Sequence, residues 1–198
     1  MPLAGRRMVE WSIAAFRACD SVRSIVVASP PGHVHDLAAG DLGVVDGGAT
    51  RAVSVSNALQ AVGTELVAIH DAARPLVTPK LIEGVIATLL AEPDADGAIA
   101  ATPVTDTIKR ARAELVEETL DRSRLWAAQT PQVFRTEALR AVLAGDSQEA
   151  QAATDEAMLV ESAGGTVLIH PAPAENIKVT TPLDLQLAEL LLAARATS

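Results

Sequence analysis

The sequence predicts an α/β fold, a mostly parallel sheet with helices on both faces and one projecting β-arm, and three observations predict it. Short β-branched runs alternate with longer amphipathic stretches, as successive strand and helix units do. The apolar fraction is 49% over 198 residues, enough for a core that many elements share. One charged stretch, residues 107–122, breaks the alternation with two polar, weakly alternating arms.

The elements follow in order. MVEWSIAAFRAC (8–19) repeats apolar residues at helical spacing. SIVVAS (24–29) and LGVV (42–45) are strands, followed by a helix from about Thr50 to Ala61. LVAIH (66–70) is a buried strand by length and composition, LIEGVIATLLAE (81–92) the next helix, and DGAIAATPV (96–104) an interior strand. TIKRARAELVEETLDR (107–122) is a strand pair that projects as a ribbon, with a short charged helix as the alternative. TPQVF (130–134) is extended, because a residue before proline avoids the α region. Helices at about 136–144 and 154–163 precede strands TVLIH (166–170) and NIKVT (176–180). A terminal helix follows, capped by Thr181 with Pro182 at its first position. No linker-like stretch, repeat or low-complexity segment interrupts the chain, so one domain over 1–198 is expected.

Charge and composition exclude several function classes. A net charge of -9 and a pI near 4.9 lack the basic footprint of a nucleic-acid or anionic-membrane binder. Any phosphorylated ligand must then be held by a few local cations. Cys19, the single cysteine, cannot form an intramolecular disulfide, which fits a reducing cytoplasm. No apolar run nears the ~20 residues of a membrane span and no leader pattern opens the chain, so a cytoplasmic protein is expected. His33, His35, His70 and His170 lack zinc spacing, and the HVH at 33–35 reads as a solvated loop. There is no GxSxG elbow, GxGxxG or Walker A motif, and Cys19 reads as a packed thiol on an amphipathic helix.

The unusual polar residues fall just past strand ends, where ligands of open parallel sheets bind. In DGGATRAVS, two glycines and a helix start can offer backbone amides to a ligand while Arg51 and Ser54 reach its polar groups; an ordinary glycine turn is the alternative. In HDAARP, Asp71 can bind a hydrated divalent cation or a sugar hydroxyl and Arg74 a phosphate, or the two can clamp the loop by pairing with each other. In PVTDTIKR, Arg110 reads as an exposed charge. Thr107 and Arg122 stand at opposite ends of the ribbon, so antiparallel pairing would bring a hydroxyl and a guanidinium to one phosphate-sized space. In NIKVT, Lys178 within an apolar strand must reach a cavity or an anion, or else snorkel to solvent.

The ordered series VDGGATRAVSV, HDAARP, PVTDTIKR, TLDRSRLWAAQTPQVF, TDEA and ENIKVTTPLDL resembles the 2-C-methyl-D-erythritol 4-phosphate cytidylyltransferases of the non-mevalonate isoprenoid pathway. The resemblance runs from PLAGRRMVEWSIAAF to the terminal helix. It implies a Rossmann-like nucleotidyltransferase sheet whose β-arm joins a homodimer. It also implies a reaction of CTP with methylerythritol 4-phosphate, with Mg²⁺, that releases pyrophosphate. Carried to matching positions, Gly48 and Ser54 would contact the cytosine, and Asp71 with Arg74 would serve the ribose and the metal. Thr107 and Arg122, from the partner's arm, would grip the acceptor phosphate with Thr130, and Lys178 would neutralise the reacting phosphoryl groups.

The family pattern opens with a strand and a glycine-rich loop, about 15–25 residues by ordinary element lengths, that wraps the CTP triphosphate. The sequence given starts at MPLAG, past that segment. The expectation is a sheet with unpaired edges where a central strand would lie, in a chain that either belongs with an upstream segment or is impaired in CTP turnover. Beside the cytidylyltransferase stand two rivals: another sugar-phosphate nucleotidyltransferase, and a non-catalytic binding or assembly module of the same fold.

Overall fold

A computed structural model describes residues 1–33, 42–144 and 155–196. Its elements run β1 (Pro2–Leu3), β2 (Arg6–Arg7), α1 (Met8–Arg17), β3 (Ile25–Ser29), β4 (Leu42–Asp46), α2 (Arg51–Leu59), β5 (Leu66–Ile69), α3 (Pro79–Leu90) and β6 (Gly97–Pro103). The arm follows as β7 (Lys109–Arg112) and β8 (Leu115–Thr119), then β9 (Trp126–Arg135), α4 (Thr136–Leu143), α5 (Glu156–Ser162), β10 (Val167–Pro171) and α6 (Pro182–Ala196).

Helix boundaries follow side-chain chemistry. Thr50, Thr78 and Asp155 cap α2, α3 and α5 by accepting from the backbone N–H of Val53, Leu81 and Met158. Thr181 accepts from Asp184 N–H at 3.2 Å, and Asp184 Oδ2 accepts from Thr180 and Thr181 N–H, so the terminal helix starts where the sequence predicts. In α3, Leu81, Ile82, Val85, Ile86 and Leu89 are buried on one stripe, each worth about 1.5–3 kcal/mol of burial.

The main sheet has the order β10, β6, β9, β5. Side chains alternate across it as a two-residue period requires: Ala98 and Ala100 pack with Phe16, Ile82 and Val85 on one face, Ile99 with Leu59, Phe134 and Leu139 on the other. Helices therefore cover both faces, as expected. The sheet is mixed, however, rather than mostly parallel. β10 runs parallel to β6, but β9 is antiparallel to both β5 and β6. The reason is the connection: between β6 and β9 the chain goes out and back through the arm with no crossover helix, and a reversal of that kind gives antiparallel neighbours.

The arm is the predicted antiparallel ribbon, with Lys109 opposite Thr119 and Arg112 opposite Leu115. Arg110 lies on its exposed face, paired with Glu118. A second small hairpin, β1 with β2, turns through Ala4 and Gly5, both at positive φ, and no sequence pattern announces it. The predicted strand at 176–180 is not one. That segment is extended chain tied to its neighbour by Val179 N–H on the Ala73 carbonyl at 2.7 Å. His35, assigned to a solvated loop, and Thr154, at the start of a predicted helix, lie outside the described residues.

β3 and β4 form a separate parallel pair. Among the described residues β3 bonds only β4, and β5 bonds only β9. Between them lies a cavity of about 570 Å³, walled by Val26 and Ala28 on one side and by Val67 and Ile69 on the other. Two strand edges thus face one apolar space. Arg51, Ser54, His70 and Asp71 close its polar end.

Candidate active site

The carboxyl ends of β4 and β5 supply the first two parts of the site. Past Asp46, Gly47 N–H donates to the Ser29 carbonyl at 2.7 Å, and Gly48 N–H donates to Ser54 Oγ at 3.0 Å. Ser54 in turn donates to the Thr50 carbonyl at 2.9 Å, so its hydroxyl fixes the turn. A Cβ on Gly48 would come within 2.1 Å of Val53 Cγ1, which makes glycine necessary there by close approach.

Past Ile69, Asp71 is the hub. Its Oδ1 lies 3.3 Å from Arg51 Nε and its Oδ2 lies 2.8 Å from Lys178 Nζ. Burial pushes the Asp71 carboxyl up, but the Lys178 hydrogen bond and the Arg51 charge outweigh it, and the net shift is downward. Asp71 therefore stays ionised. Arg51 also sends its Nη1 to both oxygens of Glu156, at 2.5 and 2.6 Å. Burial drives the Glu156 carboxyl upward more than Arg51 holds it down. On Arg51 itself burial is outweighed by Glu156 and Asp71, and its pKa rises. One guanidinium thus serves two carboxylates, one fully buried and one at the cavity mouth.

A neutral network fixes the backbone under Asp71. His70 Nε2 faces the Arg74 carbonyl at 3.1 Å, and a carbonyl only accepts, so Nε2 carries the proton. Nδ1 is then an acceptor and takes the Thr130 hydroxyl at 3.0 Å. Thr130 Oγ1 accepts in turn from Asp71 N–H at 3.0 Å. Burial lowers the His70 pKa to about 4, which keeps this arrangement neutral. The Thr130 hydroxyl points out of the ladder at an irregularity: Ile99 faces Gln132 and Ala101 faces Ala128, so β9 holds an excess of residues there, and Pro131 has no N–H to donate.

Asn176 anchors the segment that carries Lys178. It is buried, and its Nδ2 donates to Gln129 Oε1 at 2.8 Å and to the Thr130 carbonyl at 3.0 Å. Its own carbonyl accepts from Arg74 Nη1 at 2.8 Å. Arg74 consequently braces the loop through Asn176, and the expected side-chain clamp between Asp71 and Arg74 does not form; their link is Arg74 N–H to the Asp71 carbonyl at 2.9 Å.

The residues named from sequence fall into two groups. Arg51, Ser54 and Asp71 line the polar end of one cavity, and Gly48, Arg74, Thr130 and Lys178 are tied to them through the bonds described above. Thr107 and Arg122 lie exposed at the base of the arm, and Arg122 Nη1 donates to the Thr105 carbonyl at 2.5 Å. Ile108 and Leu120 are bonded across the ribbon, so Thr107 and Arg122 do flank the same end of it. Lys178 finds an anion as expected, from extended chain rather than from a strand. Glu156, Asn176 and His70 receive no role from sequence. TDEA, HDAARP and ENIKVT mark their neighbourhoods, but the burial of a glutamate and an asparagine is a tertiary fact that no local pattern carries. Cys19 is buried and free, and burial pushes its thiol up to about 11, as a packed thiol should behave.

A glycine turn at the end of β4, and an arginine and a lysine that meet on the carboxylate following β5, stand beside a sheet with helices on both faces. The class so defined is the nucleotidyltransferase-like α/β fold. A crystal structure of 2-C-methyl-D-erythritol 4-phosphate cytidylyltransferase from Thermus thermophilus superposes with a TM-score of 0.83 at 34% identity, covering 97% of this chain and 92% of that one. The protein of the same name from Rubrobacter xylanophilus is 45% identical over 201 residues, which span 98% of this chain and 86% of the relative. That from Cereibacter sphaeroides is 42% identical over 204 residues, with 98% and 88% covered. The model of the 2-C-methyl-D-erythritol 4-phosphate cytidylyltransferase family matches residues 1–194, and the chain belongs to that family.

Proposed function

We propose that the chain transfers a cytidylyl group from CTP to 2-C-methyl-D-erythritol 4-phosphate. An acceptor phosphate oxygen bonds to the α-phosphorus, the bond to the bridging α–β oxygen breaks, and pyrophosphate leaves with 4-diphosphocytidyl-2-C-methyl-D-erythritol as product. The observation that carries this reading is the convergence of Lys178, Asp71 and Arg51 beside the Gly48–Ser54 turn, in a chain whose family is that cytidylyltransferase.

Each residue has a task in this reaction. Gly48 and the Ser54-braced turn hold the cytosine, and Arg74 stiffens the loop on which Asp71 stands. Lys178, half-exposed, offsets charge on the phosphoryl groups, which is what phosphoryl transfer asks of a protein. Thr130, expected to grip the acceptor phosphate, is buried with its hydroxyl on His70 Nδ1 and Asp71 N–H, so it holds the Asp71 backbone from behind instead. Thr107 and Arg122 of a partner's arm grip the acceptor phosphate, which makes the functional unit a homodimer joined through the arm. Mg²⁺ fits this donor set: it binds readily through one carboxylate with substrate phosphates and waters, and Asp71 would hold it. When bound, the ion would neutralise phosphate charge.

Among the described residues no helix is long and apolar enough to cross a membrane. A buried thiol at Cys19 fits the reducing cytoplasm as the location in this reading. The test is pyrophosphate release from CTP with methylerythritol 4-phosphate and Mg²⁺, with UTP and GTP beside CTP, on this chain and on a version extended by a glycine-rich segment. CTP-selective release is expected. Acceptor binding without release from either version would replace the assignment with a binding module, and equal use of UTP would replace it with another sugar-phosphate nucleotidyltransferase.

A further inference from the structure

Glu156 is a buried charged side chain for which the proposed reaction has no use. It stands in the first turn of α5 at 1% exposure, with both oxygens on Arg51 Nη1. Its position is fixed from two sides. Asp155 caps α5 through Met158 N–H at 3.0 Å, and the same Asp155 accepts from Gln132 Nε2 of β9 at 2.9 Å. Arg51 therefore reaches from a rigid carboxylate at one end to Asp71 Oδ1 at the other.

We propose that Glu156 is the positioning residue for Asp71, acting through Arg51. Its carboxylate pins Nη1 so that Nε covers Oδ1. That leaves Oδ2 to hold the half-exposed Lys178, whose ammonium is the group on offer to incoming phosphates. The four charges, Glu156, Arg51, Asp71 and Lys178, alternate in sign and cancel. Removing the Glu156 charge releases Arg51 to turn toward Asp71 and toward any bound phosphate. The site then gains a free cation and loses its alignment, so nucleotide binding tightens while turnover falls.

This inference rests on the cytidylyltransferase reading for its kinetic signature, and its structural signature is independent of it. In Glu156→Gln we expect kcat to fall about tenfold or more while KM and the calorimetric Kd for CTP stay level or decrease; a merely structural loss would weaken both. Glu156→Asp keeps the charge and should recover part of the turnover. The double variant Arg51→Met with Glu156→Gln leaves no buried charge stranded, and its turnover should lie within about twofold of Arg51→Met alone, because both residues act on one oxygen. Nitrogen-15 spectra of the parent should show Arg51 Nε–H as a displaced, protected resonance that joins the exposed arginines in Glu156→Gln. An unchanged Arg51 resonance overturns the proposal, as does turnover in Glu156→Gln within twofold of the parent. No turnover from the parent or from its extended version would sink the activity assignment, and the Arg51 resonance alone would then decide this one.

Discussion

Arg51 and Arg110 each place Nη1 about as close to a glutamate oxygen, 2.5 Å to Glu156 and 2.6 Å to Glu118, yet the two pairs do different things. Glu156 is 2% exposed by side chain and Glu118 is 50%. On the arm, water competes for both partners, and such pairs contribute about 0–1 kcal/mol. At the cavity mouth one partner is cut off from water, so the guanidinium cannot leave without stranding a charge. The distance is shared; the solvent decides. A charged side chain in the core region is thereby a fixed part, whereas one on the arm is free to exchange its partner for a ligand.

Substitutions can break or sharpen that contrast. Arg51→Ala should have the largest effect on folding, about 3 kcal/mol, the low end for removing one partner of a buried pair because Arg51 itself is a third exposed. Urea denaturation measures it, and a loss below about 1 kcal/mol would place this pair with the surface pairs. Lys178→Ala should lower turnover about 10²-fold, the scale for removing one charge-stabilising donor, with circular dichroism unchanged. Turnover within twofold of the parent would take Lys178 out of the chemistry. Arg122→Ala should weaken acceptor affinity by about 1.5–3 kcal/mol, as loss of a charge-assisted hydrogen bond does, with CTP affinity preserved. Isothermal titration with methylerythritol 4-phosphate reads it directly, and unchanged affinity would reject the role. Arg110→Ala should shift stability by under about 1 kcal/mol in the same urea assay; a larger loss would mean the arm holds its charges as tightly as the cavity does.

What is legible in the sequence follows from which facts are local. The short unbroken apolar run in GAIAATP and the apolar stripe of LIEGVIATLL place β6 and α3 because burial and period are written in consecutive residues. Thr181 with Pro182 likewise announces α6. The direction of β9 is different. TPQVF says extended and nothing about which way its neighbours run, so a mostly parallel sheet is the expectation and a mixed one is found. Lys178 is identified by the cost of an unpaired ammonium, an argument that holds in extended chain as well as in a strand. Arg51 and Glu156 are 105 residues apart, and a glutamate in the first turn of a helix reads as an ordinary surface residue favoured by the helix dipole. Only the fold shows that it faces inward.

The glycine turn and Asp71 stand on different strand pairs, β3 with β4 and β5 with β9, and that division bears on how substrate is felt by the protein. A nucleotide that touches both becomes a strut between them, and part of its intrinsic affinity is spent on stiffening the pair. Occupancy would then register as a rise in melting temperature set by the net affinity, smaller than the contacts alone would give.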